Sequence, residues 1–278
     1  MGERARDRES LSQGELAGYG AWALVAGASE GLGAAYARAL ARRGLDLVLV
    51  ARRKDLLERL AAERRKNVGV QVLVCAVDLA RPEFLEELSA FCLKLELGLI
   101  VYNAAHSPVG EFLSLPSSDI ERIVDVNVRA PSLLLRRLVP SMAARGRGAV
   151  VLMTSLAGDQ GSANIAMYAA TKAFTRVLAE GLWQEWKEKG VEVVACCAGA
   201  VRTPGYAQTA DGDAPGTLDP EKVVEETLGR LGRGPVVIPG RVNRVAHFVM
   251  SRLLPRRTAI AIMARSTGGL VRKESKGE

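Results

Sequence analysis

The chain has few of the residues that build metal centres or disulfide frameworks. Its 278 residues include four cysteines and two histidines, His106 and His247, and no two cysteines form a CxxC pair. This composition disfavours a structural zinc site and leaves four reduced thiols as the default. We expect Cys75, Cys196 and Cys197 to lie in the core, because they fall in apparent strands.

An apolar leader is also missing. The first eighteen residues, MGERARDRESLSQGELAG, are polar and charged and lack the hydrophobic segment of a secretory signal. We expect residues 1–18 to form a short disordered tail and the protein to stay in the cytoplasm. The chain shows no internal repeat, and 278 residues that are 48% hydrophobic suit a single large core.

Acidic residues are absent between Thr227 and Lys273, where ten basic residues occur. The formal net charge of +7 therefore resides in this region. From Val242 to Leu254 apolar residues alternate with arginines at roughly helical spacing, until Pro255 interrupts the pattern. We predict a basic amphipathic helical extension over residues 241–278, too short and too charged to span a bilayer.

Three roles for this extension remain open on the sequence alone. It could lie on an anionic membrane surface, cover an apolar substrate that has an anionic handle, or pack on the core or a neighbouring subunit. Nothing in the chain is similar to a base-reading module, so we do not expect nucleic-acid binding.

Strand and helix signals alternate along the rest of the chain. The predicted strands are short, apolar throughout and rich in Val and Leu, which is typical of a parallel sheet covered on both faces. They are Ala21 to Gly27, Leu45 to Ala51, Val70 to Ala76, Gly98 to Asn103, Ala149 to Ser155, Val191 to Ala198 and Val236 to Pro239. Stretches with helical periodicity separate them, including one over Ser118 to Ala144. We predict a single α/β domain over residues 19–240, a Rossmann-type doubly wound parallel sheet of about seven strands with its ligand at the carboxyl ends of the strands.

A glycine-rich turn follows the first predicted strand. The string AGASEGLG places Gly27, Gly31 and Gly33 between that strand and the next helix. Glycines let the backbone approach a pyrophosphate, and the helix N-terminus supplies free N–H groups and positive dipole. The spacing is G-x-x-x-G-x-G rather than the usual G-x-G-x-x-G, so the turn alone is a weak signal.

Tyr168 and Lys172 lie four residues apart in a predicted helix, with Ser155 thirteen positions upstream. Residues i and i+4 share a helix face, so an ammonium at Lys172 could favour the ionised form of the Tyr168 phenol. A phenol with a lowered pKa can act as a general acid and base. The spacing also occurs by chance in ordinary amphipathic helices.

Six strings together resemble the short-chain dehydrogenase/reductase (SDR) family, in the same order and at similar spacing. They are AGASEGLG, YNAA from Tyr102 to Ala105, Asn127 in DVNVRAP, Ser155 in TSLAG, YAATK, and CCAGAVRTP. The resemblance covers roughly residues 19 to 240. Within the family the chain has some similarity to bacterial oxidoreductases and to reductases of acyl chains and hydroxysteroids, but this similarity does not identify a substrate. Departures from the family pattern occur at Ala26, Tyr102, Ala105 and Ala198.

The resemblance implies hydride transfer between a nicotinamide and a carbonyl or secondary alcohol. It assigns Tyr168 as the proton donor and base, Lys172 as the group that lowers the Tyr168 pKa and holds the nicotinamide ribose, and Ser155 as the partner of the substrate oxygen. It assigns Asn127 to a water that links the lysine to solvent. The implied cofactor contacts are Gly27, Ser29, Gly31, Leu32, Gly33, Arg52, Arg53, Asp78, Asn103, Tyr168, Lys172, Gly199, Val201 and Thr203.

The end of the second strand predicts which nicotinamide cofactor is used. NAD-binding folds generally place a carboxylate there, whereas an arginine accommodates the 2′-phosphate of NADP. Here Ala51 takes the place of the acid, and Arg52 and Arg53 follow. We therefore expect NADP(H), with Ser29 as a further phosphate donor. The Glu30 carboxylate would repel the 2′-phosphate of NADP unless it points to solvent, so this residue opposes the expectation.

The sequence leaves two functions open. The first is an NADP-dependent reductase or dehydrogenase of a lipophilic substrate, either acyl or polycyclic. We expect it to act as a homodimer or homotetramer in the cytoplasm, and peripheral contact with the membrane stays open. The alternative is a non-catalytic NADP-binding regulatory or membrane-surface protein with the same fold. The presence of Asn127, Ser155, Tyr168 and Lys172 favours the first, and the basic extension favours the second.

Overall fold

A seven-stranded parallel sheet forms the centre of the described molecule. The structure is a computed structural model that describes residue 16, residues 18–209 and residues 212–274, without the side chains of 208, 209 and 268–274. The strands are β1 (Trp22–Ala26), β2 (Asp46–Ala51), β3 (Val72–Ala76), β4 (Leu97–Tyr102), β5 (Gly148–Ser155), β6 (Val191–Ala198) and β7 (Val236–Val237). Their spatial order is β3-β2-β1-β4-β5-β6-β7.

Helices cover both faces of this sheet. In the described part of the chain they are α1 (Gly31–Arg42), α2 (Lys54–Val68), α3 (Phe84–Cys92), α4 (Ser117–Val124), α5 (Ala130–Arg145), α6 (Ala166–Trp186), α7 (Pro204–Thr209), α8 (Pro220–Leu228), α9 (Arg241–Phe248) and α10 (Arg256–Glu274). Helices α1, α2 and α8 supply Tyr36, Leu57 and Val224 to one core cluster. Helices α3 and α5 supply Phe84 and Leu134 to the other.

The strands are mostly apolar because helices cover both faces of the sheet. All six residues of β4 are buried, as are seven of the eight in β5. The four cysteines are also buried, with free thiols. Burial raises the pKa of the Cys196 thiol to about 12, so it stays protonated at neutral pH.

The predicted fold class is confirmed, and the strand limits differ from the predicted ones by at most two residues. The helix predicted over Ser118 to Ala144 is interrupted by a π-helical turn, Asp125–Arg129, between α4 and α5. Helix α7 was not predicted. The predicted C-terminal helix corresponds to α9, followed by a π-helical turn, Val249–Leu253, and then by Pro255 and α10.

Two sequence predictions lie at the limits of the described chain. The predicted tail, residues 1–18, falls outside the described residues except for Leu16 and Gly18, and Leu16 is buried in the core. The domain limits at 18 and 240 remain predictions. In the described part of the chain, no helix has both the length and the apolar character needed to cross a membrane.

The sheet has its topological switch point between β1 and β4. These strands are neighbours, while β2 and β3 lie on one side of them and β5, β6 and β7 on the other. In doubly wound sheets a crevice opens at this point, beyond the carboxyl ends of the strands. The glycine turn after β1 and Asn103 after β4 both lie there.

Candidate active site

The glycine turn packs directly against the end of β4. Gly27 has a φ of +79°, and a Cβ placed on it would lie 2.7 Å from the Ala104 Cα atom. A Cβ on Gly33 would lie 1.9 Å from the Gly27 carbonyl oxygen, and the Asn103 amide donates to that same oxygen at 3.0 Å. Glycine is therefore required at both positions.

The N-terminus of α1 opens toward the crevice with an uncapped first turn. Its N-cap residue, Glu30, makes no side-chain capping hydrogen bond. Gly31, with a φ of +54°, lies against the Thr203 side chain. A helix N-terminus without a side-chain cap fits a pyrophosphate, because its N–H groups and dipole favour an anion. The glycine turn and the helix N-terminus therefore fit a dinucleotide.

Basic side chains line the outer part of the crevice, a cleft of about 270 Å³. Strand β2 ends at Ala51, and Arg52 and Arg53 follow it on the cleft wall. The Arg53 guanidinium donates to the Ser29 hydroxyl at 2.8 Å and pairs with the Glu30 carboxylate at 2.7 Å. Glu30 is thus neutralised by Arg53, which resolves the conflict that the sequence raised.

Asp78 and Arg122 form an ion pair in the same cleft. An Arg122 nitrogen donates to both Asp78 carboxylate oxygens, at 2.9 and 2.7 Å. Burial alone would raise the Asp78 pKa, but hydrogen bonds from Arg122 and the Ala80 N–H lower it below its usual value. Sequence reasoning missed Arg122, because its pairing spans 44 residues and nothing local signals it.

Lys172 reaches from α6 into the space beside β5. It is 5% exposed, and its Nζ atom donates to the Met153 carbonyl oxygen at 2.8 Å. The same Nζ lies 5.4 Å from the centroid of the Tyr168 ring. Burial lowers the pKa of Lys172 to about 8, so the ammonium is lost within a few pH units of neutrality.

Tyr168 and Ser155 meet at the end of β5. Burial raises the pKa of Tyr168, and the neighbouring Ser155 hydroxyl lowers it by less, so the net pKa is raised. This differs from the expected lowering by Lys172, because the lysine is directed at the Met153 carbonyl. Ser155 also accepts from the Ala157 N–H at 3.2 Å, so it caps the turn Leu156–Asp159 as well.

Asn127 occupies the π-helical turn between α4 and α5 and is 3% exposed. Its side chain accepts from the His106 N–H at 2.8 Å and donates to the His106 carbonyl at 2.9 Å and to the Thr171 hydroxyl at 3.0 Å. The Tyr102 hydroxyl donates to the Val126 carbonyl at 2.6 Å. These bonds tie the turn to the loop after β4 and to α6, and π-helical turns are frequent at functional sites.

The residues after β6 form the opposite wall of the crevice. A Cβ on Gly199 would lie 2.8 Å from the side-chain oxygen of Asn243, the buried polar residue of α9. Val201 forms an isolated parallel bridge with Leu218, and Thr203 accepts from the Tyr206 N–H. Sequence reasoning also missed Asn243, whose contacts depend on how the C-terminal region folds back.

Most of the predicted site residues fall into two groups within the described chain. Gly27, Ser29, Arg52, Arg53, Asp78 and Asn103 line the cleft. Asn127, Ser155, Tyr168 and Lys172 lie on β5, α6 and the π-helical turn, where the Thr171 hydroxyl accepts from the Asn127 amide and donates to the Tyr168 carbonyl oxygen. Leu32 is in the first turn of α1, and Gly199, Val201 and Thr203 follow β6. All lie around the carboxyl ends of the parallel strands.

A dinucleotide crevice beside a Ser, Tyr and Lys cluster defines an oxidoreductase class of α/β protein. A model of the short chain dehydrogenase family matches residues 21–213. The chain belongs to the short-chain dehydrogenase/reductase family, as its sequence motifs predicted.

Curated relatives extend this match over most of the chain. The 7β-hydroxysteroid dehydrogenase of Clostridium sardiniense is 33% identical over 229 residues, covering 81% of this chain and 88% of the relative. The very-long-chain 3-oxoacyl-CoA reductase of Anas platyrhynchos is 31% identical, covering 77% of this chain and 70% of the relative.

Solved structures show the same fold. A 7β-hydroxysteroid dehydrogenase structure has a TM-score of 0.85 at 29% identity and covers 89% of this chain and 98% of its own. A short-chain dehydrogenase from Sphingobium yanoikuyae, in complex with NADPH, has a TM-score of 0.74 at 32% identity and covers 84% and 96%.

Proposed function

We propose that this protein is an NADP(H)-dependent oxidoreductase that transfers hydride between nicotinamide and a carbonyl or secondary alcohol of a lipophilic substrate. The observation that carries the proposal is the cluster that Ser155, Tyr168 and Lys172 form at the end of β5, in which the buried Lys172 ammonium lies 5.4 Å from the centroid of the tyrosine ring. These residues lie beside the crevice that fits a dinucleotide.

NADP(H) would be held by the glycine turn and the N-terminus of α1 through its pyrophosphate, and by Arg52, Arg53 and Ser29 through its 2′-phosphate. When bound, it supplies the hydride for reduction or accepts it in oxidation. The preference for NADP rests on the two arginines at the end of β2 and on the absence of a carboxylate at Ala51. The NADPH complex of the Sphingobium yanoikuyae protein supports it by analogy.

Proton transfer would fall to Tyr168. Its raised pKa keeps the phenol protonated at neutral pH, which suits donation to an alkoxide that develops during carbonyl reduction. The Ser155 hydroxyl would orient the phenol and hydrogen-bond the substrate oxygen. The Lys172 ammonium would stabilise the tyrosinate that remains after the proton has left.

A lipophilic substrate is favoured by the relatives. Two of them are named for steroid and very-long-chain acyl substrates, and a solved neighbour from Comamonas testosteroni is described as specific for bulky ketones.

The test is a panel of polycyclic, long-chain and small polar carbonyls, assayed by loss of NADPH absorbance. We expect turnover of bulky carbonyls, and Tyr168→Phe should remove almost all of it while NADPH binding stays nearly unchanged. Tyr19→Phe is the control, because its hydroxyl bonds to Glu192 at the opposite end of the sheet. NADPH binding without turnover of any carbonyl or alcohol would favour the non-catalytic alternative.

A further inference from the structure

Helix α9 has its polarity reversed relative to an ordinary surface helix. The buried residue of α9 is Asn243, at 4% exposure, and His247 lies on the same face four residues later. The outward residues include Val245 and Phe248, at 64% and 55% exposure. A helix on a globular protein normally turns its apolar stripe inward.

The inward polar face is held by specific hydrogen bonds. The Asn243 amide donates to the Gly216 and Pro239 carbonyl oxygens, at 3.1 and 3.0 Å. His247 Nδ1 lies 2.6 Å from a carboxylate oxygen of Asp159, whose side chain is 5% exposed and also pairs with Arg176. These contacts fix the orientation of the helix. Because its polar side is bonded to the core, its apolar side must face outward.

Arginines are interleaved with this outward apolar side. We define the basic apolar face as Val242, Val245, Phe248 and Leu253 together with the exposed Arg241, Arg244, Arg252, Arg256 and Arg257. Arg244 pairs with Glu226, and Arg256 donates to the Asp159 carbonyl oxygen. No acidic residue occurs between Thr227 and Lys273, so α9, the turn Val249–Leu253 and the first eighteen residues of α10 carry no carboxylate side chain.

The positive charge of this face favours an anionic lipid surface over a second copy of the chain as its binding partner. Two copies of the chain that met through it around a twofold axis would bring like charges together, which opposes association. An anionic lipid surface complements the arginines and receives the apolar side chains at the same time. We infer that the basic apolar face docks the protein on anionic membranes, lying in the interface without crossing it.

The experiment measures co-sedimentation of the full chain with vesicles of phosphatidylcholine alone and with vesicles of equal parts phosphatidylcholine and phosphatidylglycerol. We expect binding to the anionic vesicles only, weakened by salt. The double change Val245→Ser and Phe248→Ser should lower the partition coefficient about tenfold or more. Arg241→Gln and Arg252→Gln should each lower it about fivefold.

Matched controls carry the same changes away from the face. Leu93→Ser removes another exposed apolar residue, at 53% exposure, and Arg59→Gln removes another exposed arginine. Both should bind vesicles as the unchanged protein does.

The inference is overturned if the intact protein does not bind anionic vesicles, or binds both vesicle types alike, or if the control changes weaken binding as much as the changes on the face. It is also overturned if the face substitutions instead dissociate a dimer in sedimentation velocity, which would assign the face to a second copy. NADPH turnover of a soluble ketone should be unchanged in all these variants, so failure of vesicle binding leaves the proposed function intact.

Discussion

Lys172 and Tyr168 have pKa values that shift in opposite senses, and burial causes both shifts. The pKa of the lysine falls to about 8, and that of the tyrosine rises. Desolvation disfavours the charged form of each group, so it lowers the pKa of a cation and raises that of an acid. At neutral pH the pair is therefore a phenol that retains its proton beside an ammonium, the arrangement that carbonyl reduction needs.

This arrangement predicts a pH dependence for reduction. The ammonium of Lys172 is present below its pKa of about 8 and is lost above it. We expect kcat/KM for NADPH-dependent reduction of a non-titrating ketone to fall as pH rises through about 8, because this parameter reports ionisations of the free enzyme. In a folded Lys172→Arg variant the fall should move to higher pH, since arginine keeps its charge. A profile that is flat up to pH about 10 would contradict the role of the ammonium.

Glu30 offers a second prediction about single residues. Its carboxylate pairs with Arg53 beside Ser29, where we place the 2′-phosphate. Glu30→Gln should free Arg53 and tighten NADPH binding by about two- to fivefold, the range expected for a half-exposed pair, without changing NADH binding. Titration by fluorescence would measure both constants. Glu58→Gln, which removes a carboxylate near Arg65 on α2, should leave both constants unchanged.

Arg52 should contribute more than Arg53, because Arg53 already has a carboxylate partner. A charge-assisted hydrogen bond to the 2′-phosphate is worth roughly 1.5 to 3 kcal/mol, a preference of about tenfold to a hundredfold. Arg52→Asp should therefore reverse the preference from NADPH to NADH. Equal affinity of the unchanged protein for both cofactors would contradict the assignment.

Among the elements, α9 depends on its buried asparagine. Asn243→Ala would leave the Gly216 and Pro239 carbonyl oxygens without their donor, which costs about 1 to 3 kcal/mol in unfolding free energy. Chemical denaturation would measure the change. Asn67→Ala, at an exposed position of α2, should stay within about 0.5 kcal/mol. A loss just as small at Asn243 would mean that α9 is not held by these bonds.

The interruption between α4 and α5 shows what the local pattern could not reveal. Residues 118–144 have continuous helical periodicity, which predicted one helix. The π-helical turn inside it exists because Asn127 bonds to the His106 backbone and to Thr171, contacts that span 21 and 44 residues. Periodicity carries no information about such partners, so the local sequence could not predict the turn.

Across the whole molecule, the sequence predicted the sheet well because its strands are apolar on both faces. Strand β6 begins and ends where the pattern placed it, at Val191 and Ala198. The glycine turn and the Tyr168–Lys172 spacing could also be read locally. Arg122 and the inward polar face of α9 could not, since each depends on residues that meet only after folding.

The charge of the molecule is also distributed by function in this account. Arg52, Arg53 and Arg122 line the cleft that we assign to the cofactor, while residues 227–273 carry ten basic side chains and no acidic one. The net charge of +7 therefore comes from the C-terminal region, which carries the surface that we propose for lipid. The cytoplasmic location and the homodimer or homotetramer remain predictions.

Transfer of isotope from the cofactor to the substrate would show whether this protein moves a hydride from NADPH to a carbonyl carbon. The protein would be incubated with NADPH that carries deuterium at the transferable position and with a polycyclic ketone, and the alcohol analysed by mass spectrometry. We predict one deuterium on the carbinol carbon, and almost no product with Tyr168→Phe. A protein that binds NADPH tightly but delivers no deuterium to any carbonyl in the panel would contradict the account.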